Sequence, residues 1–565
     1  MFKKKSSFVV VFLAFLLFLA ACGNGNGGDS VANDADDDND VDVVEVDVDD
    51  DDNGEVESPG DEPEVEDGLD HLIVGIAVEV RTLDLHGTND MGSAQVSRQI
   101  FETLVLQDED MNIIPGLAHS WEQYNDRVWE FQLNDGVYFH NGDRLTAYDV
   151  EATFHRAAES AQIAAIVGMI DPDTIEVVDE LTIRVGTPEP FAPFLSHLAH
   201  SAAGIKNINE LQAAGAGGEA EELDANIDRA PVGTGPFQVV NASDWVSGDR
   251  IVLTRVDDYH GTIAGRDLPS FSQLTFRFMP EASTRVVALE TGEIHIDLNP
   301  QPDDFSRIED TANLRLDWVE GLRTEYMGMN VEHEYLSDVR VRQAINYAVD
   351  VEAIIDAIYQ GHGAVGQTQL AANVFGHNPN IEGFPFDVDR ALELMAEAGF
   401  EDGFSIDLYA NTERQDRVNI AQIVEQQLGV INIDVNIITI EWAQMLDVLD
   451  EGGADLFMLG WTTVTGDGDY GLFPLLHSSQ HGPPGNYTRF AHEEVDRLLD
   501  AARESIDTEV RLAYYFEAQE ILRDETPWVI MLQERPSVFI NYNIVHNFRL
   551  NPIGTHYLGD IVLGE

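Results

Sequence analysis

The stretch that decides the fold of the C-terminal half runs from Ile406 to Thr462: IDLYANTERQ DRVNIAQIVE QQLGVINIDV NIITIEWAQM LDVLDEGGAD LFMLGWT. Short apolar runs alternate here with longer amphipathic ones. The pattern predicts strands at Ile406–Leu408, Ile433–Ile440 and Leu456–Leu459, and helices at Val418–Leu428 and Trp442–Leu449. Strand–helix–strand units of this length make right-handed crossovers, so these strands should form a parallel sheet in a protein of the α/β class.

The segment after the last of these strands is the candidate binding site. In open α/β sheets, ligands bind beyond the carboxyl ends of the strands. The sequence there is GWTTVTGDGDY, residues 460–470, with an aromatic platform and two carboxylates. Trp461 can cover an apolar group or a cation. We expect a ligand to contact Trp461, Thr462, Asp467 and Asp469. The alternative is a core tryptophan followed by a surface turn.

The N-terminus predicts export. Lys3, Lys4 and Lys5 precede an apolar run from Phe8 to Ala21, and Cys22, the one cysteine in 565 residues, follows it. A basic start, a short apolar core and small residues at the break are typical of a signal peptide. The Leu19–Cys22 sequence resembles a lipoprotein signal, cut before Cys22 and lipidated there. We therefore expect residues 1–21 to be removed, and a lipid to hold the chain on the outer face of the cytoplasmic membrane. An ordinary signal peptide or a short anchor helix is the alternative.

The charge of the chain is extreme. The formal net charge is −72, and residues 29–67 hold 20 acidic residues and no basic one. Residues 22–68 should therefore be a disordered acidic linker. The remainder still has 83 acidic against 28 basic residues, with Lys206 as its one lysine. This balance excludes nucleic-acid binding, because phosphates would be repelled. It predicts a halophilic acidic surface, since salt screens the self-repulsion.

The folded part, from about residue 69, exceeds the ~250–300 residues of a single core, so at least two lobes are expected. A secreted hydrolase is a rival class of protein. The sequence has no Gly-x-Ser-x-Gly elbow, no His-Glu-x-x-His pair, no Walker loop and no cysteine pair, so we predict that it is not an enzyme.

The folded part resembles the large solute-binding proteins of ABC importers that take up dipeptides, oligopeptides and nickel. The matching segments occur in order along nearly the whole of it: Thr82–Asp84, Pro115–Glu122, Trp129–Leu133, Gly136–Gly142, Leu145–Val150, Gly233–Phe237, Asn330 and Asp338–Asp350. No single segment is decisive, but the ordered set is specific.

This resemblance implies a class II periplasmic-binding-protein fold with two hinged lobes and a domain inserted in the first. Lobe I would comprise residues 69–106, 207–324 and 528–565, the insert residues 107–206, and lobe II residues 325–527. The hinge crossings would lie near Leu322–Asn330 and Pro527–Leu532. Closed lobes would enclose a small solute and deliver it to a membrane permease driven by an ATPase. A monomer without cofactors is expected.

The resemblance also directs attention to particular residues. Glu79 and Arg81, at the end of the first strand, should face the ligand from lobe I. Arg414 could meet a ligand carboxylate, although a salt bridge with nearby acids is the alternative. In peptide-binding relatives an aspartate three residues after the tryptophan holds the peptide ammonium group; here that position is Val464.

Peptide is the first expectation for the solute, on family frequency. An oligosaccharide, an opine-like compound or a nickel complex are the alternatives. His477, His481 and His492 follow the tryptophan. Their spacing is not that of a compact metal site, so no metal ligands are predicted.

Overall fold

Strands of this chain assemble into three main sheets in the computed structural model, which describes residues 69–88, 90–215, 228–261, 266–482 and 485–564. In chain order the strands are β1 (His71–Ile76), β2 (Val105–Gln107), β3 (Ile113–Pro115), β4 (Ala118–Gln123), β5 (Val128–Leu133), β6 (Glu176–Asp179), β7 (Thr182–Gly186), β8 (Phe237–Gln238), β9 (Trp245–Val246), β10 (Arg250–Arg255), β11 (Gln273–Phe278), β12 (Ile296–Asp297), β13 (Leu314–Trp318), β14 (Arg323–Met329), β15 (Phe404–Asn411), β16 (Ile433–Ile440), β17 (Leu456–Thr462), β18 (Trp528–Gln533), β19 (Ser537–Asn541), β20 (Val545–His546) and β21 (Val562–Leu563).

The α-helices connect and cover these sheets. They are Met91–Ser97, Ala147–Glu159, Ala164–Val167, Phe194–Leu198, Ile208–Gly215, Ala282–Glu290, Phe305–Glu309, Val339–Ala348, Val351–Tyr359, Val388–Ala398, Gln415–Gly429, Trp442–Asp450, Gly468–Leu476, Glu493–Glu504 and Thr508–Glu525. None of the helices in the described ranges has the length and apolar content needed to cross a bilayer.

The C-terminal half is organised around a five-stranded sheet in the order β16-β15-β17-β14-β18. β15 pairs in parallel with β16 and β17, as the strand–helix–strand pattern predicts. β14 and β18 add antiparallel partners from distant parts of the chain. β17 extends three residues beyond the predicted Leu459, because Trp461 and Thr462 pair with Thr324 and Arg323 of β14. Trp461 therefore lies within a strand end rather than in the loop after it.

The second large sheet is mixed and has eight strands. Its order is β13-β19-β12-β1-β11-β10-β8, with β9 paired to β10. β1 is parallel to β11 and β12 in its centre. Side chains of this sheet form their own hydrophobic cluster, which includes Leu72, Val74 and Phe276. β1 ends at Ile76, before Glu79 and Arg81, which were predicted at the end of this strand. The backbone amide of Ala77 donates to the Asn299 side chain at 2.7 Å instead of continuing the strand.

A four-stranded antiparallel sheet, β4-β5-β7-β6, lies between β3 and β8 in the sequence. It has a separate core around Phe131 and Phe154. This region corresponds to the segment expected as an insert, residues 107–206.

Two short crossings connect the two large sheets: residues 319–322 between β13 and β14, and residues 534–536 between β18 and β19. They run side by side, with Val319 N donating to Pro536 O at 3.1 Å and Gly321 N to Glu534 O at 3.1 Å. A Cβ atom on residue 321 would collide with the Pro536 ring and the Glu534 carbonyl, so the crossings meet only at a glycine.

The crossings differ from the expected hinge positions. β14 and β18 were expected at the hinge, with residue 528 opening the last segment of lobe I. Instead β18 pairs along its length with β14 inside the five-stranded sheet, and the chain passes to the other sheet only after Gln533. The predicted signal peptide (1–21), the acidic linker (22–68) and Cys22 lie outside the described residues.

Candidate ligand-binding site

Trp461 is held at the boundary between two hydrophobic clusters. Its half-buried indole packs against the core of the five-stranded sheet's half and against the core of the β4–β7 region. The indole Nε1 donates to the Tyr470 carbonyl at 2.8 Å, and the two rings are 5.2 Å apart. The helix Gly468–Leu476 therefore fixes the orientation of the indole. We call residues 461–470 the Trp461 segment.

Hydrogen bonds join the Trp461 segment to the β2–β7 region. The Gln107 side-chain amide donates to the Thr465 carbonyl at 2.7 Å. Farther along, Ala192 N donates to the Arg503 carbonyl at 2.7 Å, and the His197 ring is 6.0 Å from the Tyr470 ring. The predicted segment thus lies where the two halves of the protein touch.

Asp467 is engaged inside the protein. Its carboxylate is 3 % exposed and accepts two hydrogen bonds from Arg511, at 2.8 and 3.0 Å, and one from the Tyr515 hydroxyl at 3.2 Å. It also caps the helix Gly468–Leu476, accepting from Asp469 N at 3.0 Å. These bonds use the oxygens that a ligand cation would need. A ligand role for Asp467 stays a prediction.

Asp469 is also buried and paired. Arg503 approaches its carboxylate at 3.0 Å, and the Arg503 guanidinium lies 3.8 Å from the Phe473 ring centroid and 5.1 Å from that of Phe191. Burial, aided by repulsion from Asp467, raises the pKa of Asp469 to about 6 in spite of Arg503. Its protonation state therefore changes near neutral pH, at the contact between the halves.

Val464 packs where the resemblance implies an aspartate. Its half-buried side chain contacts the same two hydrophobic clusters as Trp461. An apolar group at this point offers no counter-charge to an ammonium group.

A compact charge cluster lies beside the Trp461 segment. Glu325 is 1 % exposed, and three arginines surround it: Arg323 at 2.7 Å, Arg417 at 2.9 Å and Arg414 at 3.4 Å. Burial alone would raise the pKa of Glu325, but the three guanidinium groups hold it below its ordinary value. We call these four residues the Glu325 cluster. Thr462 is linked to it, because its hydroxyl accepts from Arg323 at 3.1 Å.

Gly460 connects the two regions. It pairs with Glu325 across the β14–β17 ladder. A Cβ atom there would overlap the Glu325 carboxylate and the Arg323 guanidinium. The glycine before Trp461 therefore makes room for the Glu325 cluster rather than exposing backbone to a ligand.

Arg414 lines a cavity of about 650 Å³ next to the crossings. Both halves contribute to its wall, including Trp318, Tyr359 and His362. Arg414 forms a salt bridge with Asp416 at 2.7 Å and another with Glu325. The sequence predicted such salt bridges as the alternative to a ligand contact. Trp461, Thr462, Asp467 and Asp469 do not line this cavity. No sequence pattern pointed to the aromatic residues of this cavity, which come from three separate segments.

Glu79 and Arg81 are exposed and hydrogen-bond to neighbours outside the Trp461 segment. Glu79 accepts from the Ser247 hydroxyl at 2.6 Å and from Gly248 N at 2.7 Å. Arg81 N donates to the Ser93 hydroxyl at 3.2 Å. The contacts of both residues in the described ranges are with lobe I neighbours, so their ligand role remains a prediction.

Comparisons with known proteins identify the family. The model for "Bacterial extracellular solute-binding proteins, family 5 Middle" matches residues 112–483, about two thirds of the chain. The chain belongs to this family. It is therefore a solute-binding protein of the extracellular type, and the family predicted from the ordered segments is confirmed.

Individual relatives agree with this. The dipeptide-binding protein of Escherichia coli K12 is 29% identical over 497 residues, covering 84% of this chain and 90% of its own. The structure of HbpA2 from Haemophilus parasuis aligns with a TM-score of 0.78 at 28% identity, over 88% of this chain and all of that one. The ABC transporter-associated periplasmic protein DppA from Helicobacter pylori, in complex with the peptide STSA, aligns at 0.72 and 26% identity, over 88% of this chain and 98% of its own. The predicted two-lobed α/β fold is confirmed.

Proposed function

We propose that this chain is the substrate-binding component of an ABC importer and that it captures peptides between two lobes. The observation that carries the proposal is the position of the Trp461 segment, which both halves contact through the Gln107–Thr465 hydrogen bond and the packing of Trp461. Similar proteins support peptide as the solute, since one is a dipeptide-binding protein and another holds the peptide STSA.

Closure in this proposal is a rotation of the two large sheets about the crossings 319–322 and 534–536. Lobe I contains the eight-stranded sheet and lobe II the five-stranded sheet, which includes β14 and β18, so the boundaries of the predicted division move to the crossings. Contacts such as Gln107–Thr465 and Ala192–Arg503 exist only when the halves touch. Ligand stabilises the closed form by adding contacts available in that form alone. The closed form then docks on a permease and its ATPase.

One observation favours a second class of solute. Val464 offers no carboxylate, and Asp467 and Asp469 are already paired with Arg511 and Arg503. A peptide would therefore be held through its backbone and side chains rather than by its ammonium group. An oligosaccharide, an opine-like compound or a nickel complex is the alternative. A secreted hydrolase is a remote alternative to the binding function itself.

Mass spectrometry of material released from the purified, denatured protein tests the solute class. Peptides are expected at close to one per protein. Recovery of a sugar or an opine at that ratio, with no peptide, would replace the peptide assignment. Conversion of added peptides to free amino acids by the pure protein would favour the hydrolase.

We also propose that Cys22 carries the lipid that anchors the protein outside the cell, with residues 22–68 as an acidic spacer. The single cysteine directly after Leu19-Ala20-Ala21 supports this. Changing Cys22 to Ala should move the protein from the membrane fraction to the medium. Equal membrane retention of the variant and the parent would contradict lipidation.

The acid excess supports a salty habitat. Many surface carboxylates have no basic neighbour to balance them, so their repulsion grows as salt is removed. The melting temperature should therefore be lower in dilute buffer than in molar potassium chloride. Equal melting temperatures would remove the halophilic assignment.

A further inference from the structure

Arg98 and Arg266 of lobe I are half-buried arginines without an ion-pair partner among the described residues. In this acidic chain, buried arginines are typically paired, as Arg285 is with Asp297 at 2.9 Å and Arg511 with Asp467 at 2.8 Å. Arg98 and Arg266 are different. Within the described ranges, neither guanidinium has a carboxylate within 4.0 Å, and neither donates a hydrogen bond.

Both guanidinium groups line one cavity of about 330 Å³. Arg98 caps the end of the helix Met91–Ser97, where its amide donates to Ala94 O at 3.0 Å, so its backbone is fixed. The Arg266 guanidinium stacks 3.9 Å from the Tyr557 ring centroid. The two arginines therefore reach the cavity from two separate segments, a helix end and a contact with Tyr557.

The two guanidinium groups repel each other. Burial, together with the charge of Arg266, lowers the pKa of Arg98 to about 10. An anion bound between the two groups would relieve this repulsion, because each half-buried guanidinium would gain an opposite charge.

Carboxylates near the cavity act on these arginines only from a distance: the charge of Glu109 reaches Arg98 and that of Glu102 reaches Arg266, and neither forms an ion pair with them. Asp108 is occupied by its own turn, accepting from Asn112 N at 2.8 Å. Glu109 is 3.6 Å from Arg549, the third arginine of the cavity wall. Asp267 and Asp560 also line the cavity but lie more than 4.0 Å from both Arg98 and Arg266.

We propose that Arg98 and Arg266 form a binding site for an oxyanion, a carboxylate or a phosphate group. A planar guanidinium presents paired N–H donors that match the oxygens of either group. The cavity volume accommodates the group together with a few more atoms of a small acid. Gln107, another residue of the wall, donates to Thr465 of the Trp461 segment, so the site adjoins the boundary between the halves.

The oxyanion has two sources, which a pair of titrations distinguishes. In the first, the full chain is titrated with inorganic phosphate by calorimetry at constant ionic strength. If the anion is free in solution, phosphate binds one to one, and Arg98→Gln and Arg266→Gln each weaken it at least tenfold. Arg127→Gln is the matched control, because Arg127 also has no carboxylate within 4.0 Å in the described ranges and donates only to the Pro188 carbonyl.

In the second, the peptide STSA is compared with its C-terminal amide. If the anion is the acid group of the transported solute, the amide binds at least tenfold more weakly than STSA. The same two substitutions then weaken STSA without further weakening the amide. Binding of both peptides with equal affinity leaves the proposed transport function intact and excludes this source.

Folding of the variants serves as an independent check. Removing one of two repelling charges should leave the melting temperature unchanged or higher. A site occupied by phosphate should also raise the melting temperature of the parent more than that of Arg98→Gln, since a general salt effect would act on both equally. The proposal is overturned if neither phosphate nor STSA binding depends on Arg98 and Arg266.

Discussion

The Trp461 segment and the Glu325 cluster lie side by side at the same end of the five-stranded sheet, yet they differ in what they contact. In the Glu325 cluster, three guanidinium groups neutralise one carboxylate within lobe II. In the Trp461 segment, the charges are also paired, but the indole and the loop carbonyls reach the other half of the protein. Charged groups therefore hold the structure of the site in place, while apolar and backbone groups remain available to contact a ligand.

Charge removal in the Glu325 cluster should have the largest effect. Glu325→Gln leaves the buried Arg417 and the half-buried Arg323 and Arg414 without their shared carboxylate. We expect a loss of about 3–5 kcal/mol in the free energy of unfolding, measured by denaturant titration. Glu425→Gln, on the exposed face of the helix Gln415–Gly429, is the control and should change stability by less than about 0.5 kcal/mol. Equal stability of the two variants would show that the cluster is not structural.

The next effect is a pH dependence located in the Trp461 segment. The pKa of Asp469 is about 6 in the folded protein, above the ordinary aspartate value of 3.8. Because the folded state holds the proton more tightly, the contribution of Asp469 to stability is greatest below pH 4 and falls as the pH rises to 6. The stability of the parent relative to Asp469→Asn should therefore fall by about 3 kcal/mol over this range.

Denaturant titrations of both proteins between pH 3.5 and pH 7 measure this difference. The other carboxylates titrate in both chains, so they cancel in the comparison. A difference that does not change with pH, or one that rises with pH, would contradict the assigned pKa.

A smaller effect is expected at the crossings, to which both regions are tied. Thr463 N donates to Leu322 O at 3.0 Å, and Arg323 lies 3.4 Å from Glu534. Gly321→Ala places a methyl group against Pro536 and should cost about 1–3 kcal/mol. Gly429→Ala has open space around the added methyl group and should be neutral or slightly stabilising. Similar stability of the two variants would mean that the crossings accommodate the added methyl group without strain.

The sequence predicted the fold well where local pattern and pairing agree. The helices expected at Val418–Leu428 and Trp442–Leu449 are found at Gln415–Gly429 and Trp442–Asp450, and the parallel strands pair as expected. The position of β18 in the sheet was not predicted, because the sequence of a six-residue strand does not specify which distant strand it pairs with. Its pairing with β14 is set by tertiary contacts.

The candidate site was only partly predictable. Trp461 could be placed at a strand end because position along an α/β unit is a local property. The pairing of Asp467 with Arg511 could not, since the partners are 44 residues apart and the chain is rich in carboxylates. The cavity around Arg414 and the Arg98–Arg266 pair likewise join separate segments, and no spacing in the sequence marks them.

The most direct test of the central claim is the affinity of Trp461→Ala for the peptide recovered with the protein, or for STSA, measured by calorimetry. The account predicts at least a tenfold loss, about 1.4 kcal/mol, in a variant that still folds cooperatively. Trp442→Ala, which removes an indole that is 41 % exposed on a lobe II helix, should bind as the parent does. Parental affinity in Trp461→Ala would contradict the claim that this segment forms part of the wall around the guest.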